Sequence, residues 1–582
     1  MPDSPTSEPE SPFVCDCAEW MREACAGEPF YRELEGKRYC VLHYPGKEKS
    51  VDFESALQRK LENEDFDFRG VWFPDEVSFE DFEFRTTANF IGATFSAWAD
   101  FSSATFSAKA NFSYATFNAA ASFSHATFSD LASFFFATFS AAASFKSATL
   151  GAAYFSHATF SDLASFVSAT FSAKASFVSG TFNAEASFVS ATFSVAADFN
   201  RATFRAAADF SFAAFRAKAH FRSATFSAAA DFNRATFTAE ADFNVAKFSA
   251  EADFSEAIFS AATDLTLATF GAAAYFLSTN FSAEAYFSDA TFRAAADFSL
   301  ATFSVEAHFN SATFSADADF SDASFRTEAY FHSATFADHV RFAGNEKHKV
   351  MTDTSALDLQ FAKIEKPDRV SFHTLSLRPH WFVNVNARRF DFTNVNWGRP
   401  SINEEISRLE QKDISSPHLL LAIACRNLTV NAEENHRYEE ASKFRYMAME
   451  ARRLESWRGF APWRLSWWYW LASGYGERVW QAFFVLLGIL LLSALLYTRV
   501  GFARWEPKLA TEADVAIARR DDVGSPLKFS RALTYSAAVM TFQKPEPRPA
   551  TTAAQTVVLL ETILGPVQAA LLALAIRRKF MR

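Results

Sequence analysis

No proline occurs between Pro74 and Pro367, so nothing in that interval interrupts a continuous stack of hydrogen-bonded backbone. Positive charge is also short. The formal net charge is −11, which argues against a nucleic-acid-binding protein with a broad basic face. Cysteine is sparse and uneven: of five, four stand at 15, 17, 25 and 40, and Cys425 is alone. That distribution excludes a chain-wide disulfide framework and suits a reduced compartment with one local metal site. The first twelve residues, Met1 to Pro12, are acidic and rich in Pro and Ser. They lack the basic start and apolar core of a signal peptide and read as a disordered tail. Gly-rich phosphate loops, HExxH and GxSxG are missing, and the twelve His are scattered, so the chain is not expected to be an enzyme.

Phenylalanine is what the sequence has in excess: seventy Phe against fourteen Tyr and seventeen Gly, a ratio that signals a repeat. From Phe90 to Phe342 one unit recurs, as in Ala93-Thr-Phe-Ser-Ala-Trp-Ala-Asp-Phe-Ser-Ser103. Phe spacing alternates five and six (Phe90, Phe95, Phe101, Phe106, Phe112), with one slip near Leu150 and Phe155. A period of eleven also suits a right-handed helical supercoil. A helix, however, needs apolar residues three and four apart, whereas Ala, Phe, Ala, Ala and Phe here occupy unit positions 1, 3, 5, 7 and 9. Alternation by two is the strand signature.

Ala two residues before each Phe resembles the pentapeptide-repeat family, and the eleven-residue spacing is similar to a Phe-rich variant with one extra residue in every second side. The resemblance implies a mainly β fold, a right-handed quadrilateral β-helix of 22 residues per turn, over 66–400 (strict in 90–342, degenerate in 350–400). Twenty-three units would give between eleven and twelve turns, roughly 55 Å at the usual strand spacing. Asp and Glu outnumber Lys and Arg by 22 to 13 between Phe90 and Phe342. Some family members mimic DNA against topoisomerases, which leaves an inhibitor as one alternative function; solvated faces of a rod account for the same charges.

The segment 13–50 carries CDCAEWMREAC and then KRYCVLH. Zinc takes four thiolate or imidazole ligands in a tetrahedron, and the expected set is Cys17, Cys25, Cys40 and His43, with Cys15 as the alternative to Cys17. The segment resembles small Cys/His fingers that precede pentapeptide repeats, which implies one structural zinc.

Beyond the repeat, 401–460 reads as a helical linker: Asn403 to Gln411, Leu419 to Val430, and an amphipathic helix from Ala432 to Ser456 with Tyr438, Ala441, Phe444, Met447, Ala451 and Leu454 on one stripe. The run from Asn431 to Glu455 resembles one arm of a tetratricopeptide-type hairpin. Trp463 to Trp480 is densely aromatic, which predicts a helix (463–477) lying in the membrane interface. Val479 to Tyr497 has no charge and is long enough to span. Ala553 to Ile576 is a second span, ending in Arg577-Arg578-Lys579. Between them Phe529 to Thr541 is too short to cross.

A span, a half-helix and a second span resemble a two-span, pore-loop channel subunit, and ETILGPVQAALLALAIRRKFMR is similar to the inner-helix end of a bacterial family that joins such a module to pentapeptide repeats. The resemblance implies a re-entrant half-helix, a homotetramer, and a bacterial inner (cytoplasmic) membrane location with solenoid and C-terminus in the cytoplasm. The expected partners are the lipid bilayer and an unidentified protein on the solenoid; no nucleic acid is expected. After the half-helix stands TFQKPEPRP, which departs from the carbonyl ladder of potassium filters and keeps open a second alternative, a membrane-tethered scaffold without conduction. Glu561, four residues before Gly565-Pro566, is ionisable inside a span. It is a candidate for lining a cation path or for a hydrated interfacial position, with Gly565 and Pro566 as a hinge and Gln568 as a further polar group.

Overall fold

The computed structural model describes residues 13–344, 350–351, 355–398, 401–411, 414–455, 462–503 and 527–580. The expected disordered tail, 1–12, lies outside them. Two compact units divide the chain: Met1–Leu377 with Phe390–Gly398, and Arg378–Arg389 with Arg399–Arg582.

The first unit is a β-solenoid of about fourteen turns, built from four parallel sheets of 13, 14, 15 and 12 strands. It exceeds the length of the strict repeat because the degenerate segments at both ends add turns, from Trp72–Phe73 to Asp391–Thr393. Each side of a turn is a two-residue strand. Thr105–Phe106, Ala110–Asn111, Thr116–Phe117 and Ala121–Ser122 make one complete circuit. Every strand pairs with its equivalent one turn on, as in Ala110↔Ala132 and Phe117↔Phe139.

That register superposes like on like. Phe106 lies on Phe128 with centroids 4.5 Å apart and planes 2° from parallel, and Phe188 on Phe210 at 4.7 Å and 0°. Rings from adjacent sides meet edge to face, as Phe199 and Phe210 do at 5.3 Å and 89°. The stacking distance is the inter-strand spacing itself, so backbone hydrogen bonds and ring packing are satisfied by the same rise, and both ring arrangements are favourable for aromatics. Ala methyls fill the space between columns: the Ala at unit positions 1 and 7 and the Phe at positions 3 and 9 are buried, whereas the Ala expected inside at position 5, such as Ala97 and Ala108, stays half-exposed at the edge of the side.

The sixth residue of every second side turns the corner. In Asp100-Phe-Ser-Ser-Ala104 the amide of Ala104 donates to Phe101 O at 3.2 Å, Asp100 Oδ1 accepts from Ser102 N at 2.9 Å, and Ser103 is left-handed at φ 56°. A left-handed residue recurs at this position in each unit, almost always without glycine, a conformation that costs L-residues roughly 1–2 kcal/mol. The Asx-type acceptor offsets part of that cost. Asp198, Asp209, Asp231, Asp242, Asp253 and Asp264 each accept the amide two residues on in the same way. The acidic excess of the repeat is therefore in large part turn chemistry.

The slip near Leu150 is one missing residue: Ala132 pairs with Ala153, 21 positions on. Gly151 absorbs it, since a Cβ there would stand 2.5 Å from Asp130 O. The solenoid's first turn is covered by the N-terminal segment, in which Leu42 O accepts from Trp72 N at 3.0 Å and Trp20 lies over Gly92. Helix α1 (Ser50–Glu62) follows, preceded by the buried Lys49, whose Nζ donates to Val41 O (2.6 Å) and Leu42 O (2.8 Å). At the far end the column closes as Phe342, Phe372 and Phe392 stack and Trp397 packs edge-on against Phe392 at 5.2 Å.

The second unit is helical: α2 (Ile402–Gln411), α3 (Pro417–Glu434), α4 (Tyr438–Leu454), α5 (Leu465–Ser473), α6 (Val479–Tyr497), α7 (Phe529–Met540) and α8 (Thr552–Phe580). The helix expected from Ala432 to Ser456 is corrected. Its first turn belongs to α3, and the chain breaks where His436 turns left-handed at φ 57° and Arg437 N donates back to Ala432 O at 2.7 Å. The break makes an α3–α4 hairpin, with Ala441, Phe444, Met447 and Ala451 of the expected stripe buried. Val479–Tyr497 and Thr552–Arg578 are long and apolar enough to cross a membrane.

Two outcomes follow for the rod. Gly151→Ala should destabilise the solenoid by about 1–3 kcal/mol, because the opposing atom is backbone and cannot move aside alone; urea unfolding followed by circular dichroism measures it. Burial, with Asp209 and Asp253 stacked on either side, raises the Asp231 carboxyl above its ordinary value. A carboxyl raised in the folded state costs stability as pH rises through its titration. Asp231→Asn keeps the turn acceptor and removes the charge, so its melting temperature should exceed wild type at pH 7 and match it near pH 3.

Candidate functional site

Among the described residues, three places concentrate polar chemistry in buried surroundings. The first is the cysteine cluster. A short 3₁₀ helix (Glu19–Cys25) and a two-stranded hairpin (Phe30–Leu34 with Lys37–Cys40) fold against the first solenoid turn and bring all four N-terminal cysteines and His43 together, every one buried. The donor atoms of Cys15, Cys17, Cys25 and His43 lie within 4.8 Å of one another. Cys17 Sγ is 3.9 Å from Cys25 Sγ, and Cys15 Sγ is 3.9 Å from His43 Nδ1. Cys40 Sγ is 3.4 Å from His43 Nδ1, and its backbone amide donates to Cys15 Sγ at 3.4 Å. Five soft donors thus surround a point where a tetrahedral ion needs four. Cys15, the alternative in the expected set, stands inside the mutually close group, and Cys40 stands at its edge.

The imidazole is oriented for ligation. His43 Nε2 donates to Arg69 O at 2.8 Å, so that once its other proton is lost the ring presents the Nδ1 lone pair to the thiols, the outer-shell arrangement usual for metal-bound histidine. Arg69 in turn pairs with Asp67 (2.7 Å) and with Glu23 (2.6 Å), between Cys17 and Cys25. Electrostatics in the cluster are strongly mixed. Hydrogen bonds from Cys25 and Cys40 drive the Cys15 thiol far down, while burial drives Cys17 up to about 12. Burial opposes protonation of His43, but its bonds with Cys15 and Cys40 raise it to about 9. A soft divalent cation bound in such a nest would take the place of the protons these thiols share, with the thiolates as its ligands.

The second place is the centre of the helical unit. Glu561 is 2 % exposed. Tyr497 OH donates to its Oε2 at 2.5 Å, and Ser536 Oγ meets its Oε1. One carboxyl thereby ties α8 to α6 and α7. Ser536 Oγ also reaches Leu490 O at 3.1 Å. Rings of Tyr497, Phe502 and Tyr535 pack edge to face within 5.0–5.5 Å. Gly565 allows α7 to approach α8, since a Cβ there would stand 2.8 Å from Met540 Cγ. Pro566 lies within α8, and Gln568 Nε2 donates to Ala472 O (2.6 Å) and Ala482 O (2.8 Å). The chain path is also informative. Leu527 N donates to Tyr497 O at 3.3 Å, and Pro549 pairs with Phe502.

A third cluster was not foreseen from the sequence. Glu477, just before α6, accepts from Ser442 (2.6 Å) and Arg445 (2.6 Å) of α4 and from Arg578 (3.1 Å) of α8. Nearby, Tyr475 OH donates to Glu450 Oε2 at 2.9 Å, and Arg453 pairs with the same carboxylate. Apart from the Glu450–Arg453 pair, one helical turn apart, these partners are 25 to 101 positions apart, so no local spacing announces them.

Residues 221–269 match the family model for pentapeptide repeats, described as nine copies. No curated protein and no solved structure matches the chain.

The close approach at Gly565 carries a test. Gly565→Val should lower the stability of the detergent-purified protein by about 1–3 kcal/mol, and adding Met540→Ala should recover part of the loss, a coupling expected only of side chains in contact. Thermal denaturation of the four variants of that cycle measures it.

Proposed function

We propose that this protein is a membrane-anchored pentapeptide-repeat rod whose helical unit forms a pore-loop-type module and whose solenoid, lying in the cytoplasm with the C-terminus, docks a protein partner. The observation that carries this reading is the path of α7. It leaves the end of α6 beside Tyr497 and draws level with Leu490 at Ser536. It reaches Gly565, thirteen residues into α8, at Met540, and by Pro549 it is back at Phe502. A helix that enters and leaves on one side of two spans is a re-entrant segment, tolerated at membrane depth only where protein or a cavity surrounds it. Glu561 is then the brace that holds it. Such modules enclose a path only when several copies assemble, so the reading includes a homotetramer.

A second reading, a tethered scaffold without conduction, is favoured by the loop after α7, where Thr541 to Pro549 holds three prolines and three charged residues in place of a carbonyl ladder. Reconstitution in potassium-loaded liposomes separates the two. Cation efflux above that of empty vesicles is the expected result; vesicles that contain the protein and stay sealed establish the scaffold.

The cysteine cluster fits one structural zinc, which when bound would fasten the N-terminal segment to the first solenoid turn through His43 and Arg69. Purified protein should carry about one zinc per chain by elemental analysis. Cys15→Ser should abolish it and Cys40→Ser should retain a larger fraction, because only the former removes a donor from the mutually close group.

A further inference from the structure

We infer that the helical unit holds a specific site for an anionic phospholipid at the junction of α4, α5, α6 and α8. This rests on the membrane reading above and adds a ligand to it. Two cavities lie near each other there. One, of about 640 Å³, is an apolar groove between α5 and the two spans, walled by Trp468, Leu471, Val485, Ile489, Leu564 and Val567. The other, of about 530 Å³, is a polar cleft lined by Tyr438, Ser442, Arg478, Trp480 and Arg578, with Glu439 and Glu477 on its walls. They adjoin at Gln481, a cleft residue whose amide donates to Trp470 O (2.7 Å) and to Leu471 O (3.0 Å), the latter part of the groove. Helical spacing puts both on one face: Arg478 is seven residues from Val485, and Arg578 seven from Leu571, a further groove residue.

The groove's depth identifies its occupant. Val485, Ile489, Leu564 and Val567 of its walls belong to segments apolar enough to span, and the exposed Trp463, Trp468 and Trp480 mark the headgroup level. A groove open at that depth is filled by an acyl chain. Charge selects the headgroup. Glu477 is already held by Arg445 and Arg578. Arg478 is exposed and stacks on the Tyr446 ring at 4.2 Å, and among the described residues it makes no ion pair. Its five donors are available to a phosphodiester. Glu439 disfavours an anion deep in the cleft, so the phosphate sits toward Arg478 and Trp480.

The test uses full-length protein in detergent. Flotation with phosphatidylcholine vesicles first checks membrane insertion; protein that fails to float overturns the membrane reading and this proposal with it. For protein that floats, native mass spectrometry after delipidation is run with phosphatidylglycerol, phosphatidylcholine or glycerol 3-phosphate added. The expected result is retention of phosphatidylglycerol at least tenfold over phosphatidylcholine, lost in Arg478→Gln and in Val567→Trp, which fills the groove at an exposed position. Equal retention of both lipids, or selectivity unchanged in both variants, overturns the site. Glycerol 3-phosphate bound as well as the lipid overturns it too, since the cleft is then a soluble-anion site.

Discussion

Everything in the rod depends on one coincidence of lengths: the rise between hydrogen-bonded strands matches the centroid separation at which offset aromatic rings stack. Parallel two-residue strands are too short to hold a sheet by backbone bonds alone. Stacked Phe columns such as Phe90–Phe112–Phe134–Phe155, each step 4.6–5.0 Å with near-parallel planes, give each strand a side-chain reason to sit in register with its equivalent. In a solenoid every turn contacts only its neighbours, so this local rule suffices for the whole length. Its consequence is that a deviation must be repaired locally, as Gly151 does for the missing residue and Trp397 does where the column ends.

The same constraint shapes the surface. Because the corner between sides needs a left-handed residue and an acceptor for the amide before it, Asp, Asn and Ser recur at one outward position. Column by column they accumulate, as at Asp209, Asp231 and Asp253. Charge on this rod is thus coupled to fold geometry. The helical unit follows a different logic, in which buried polar groups with few partners fix helix positions. Glu561 joins three helices, Gln568 joins α8 to the ends of α5 and α6, and Glu477 joins α4 to α8. In an apolar environment such groups are costly unless bonded, and here they are bonded.

The parts legible in the sequence are those with short-range periodicity. The two-residue alternation around each Phe identified strands, the long apolar runs identified α6 and α8, and the clustering of cysteines with His43 identified a soft-donor site. The break at His436 was not legible, because Asn435 and His436 are the one weak spot in an otherwise helix-favouring run and the left-handed residue is not a glycine. Nor was the place of Cys15, since sequence spacing cannot say which of two cysteines one residue apart turns inward; the hairpin turns both. The hydroxyls on Glu561 come from Tyr497 and Ser536, 64 and 25 positions away, and only tertiary packing brings them there.

The proposed pore-loop module would enclose a path only as an assembly of several chains. Native mass spectrometry of the full-length protein in nanodiscs counts the copies directly. Four chains per particle is the predicted result. A single chain would contradict the pore-loop reading and leave α6 and α8 as an anchor for the rod.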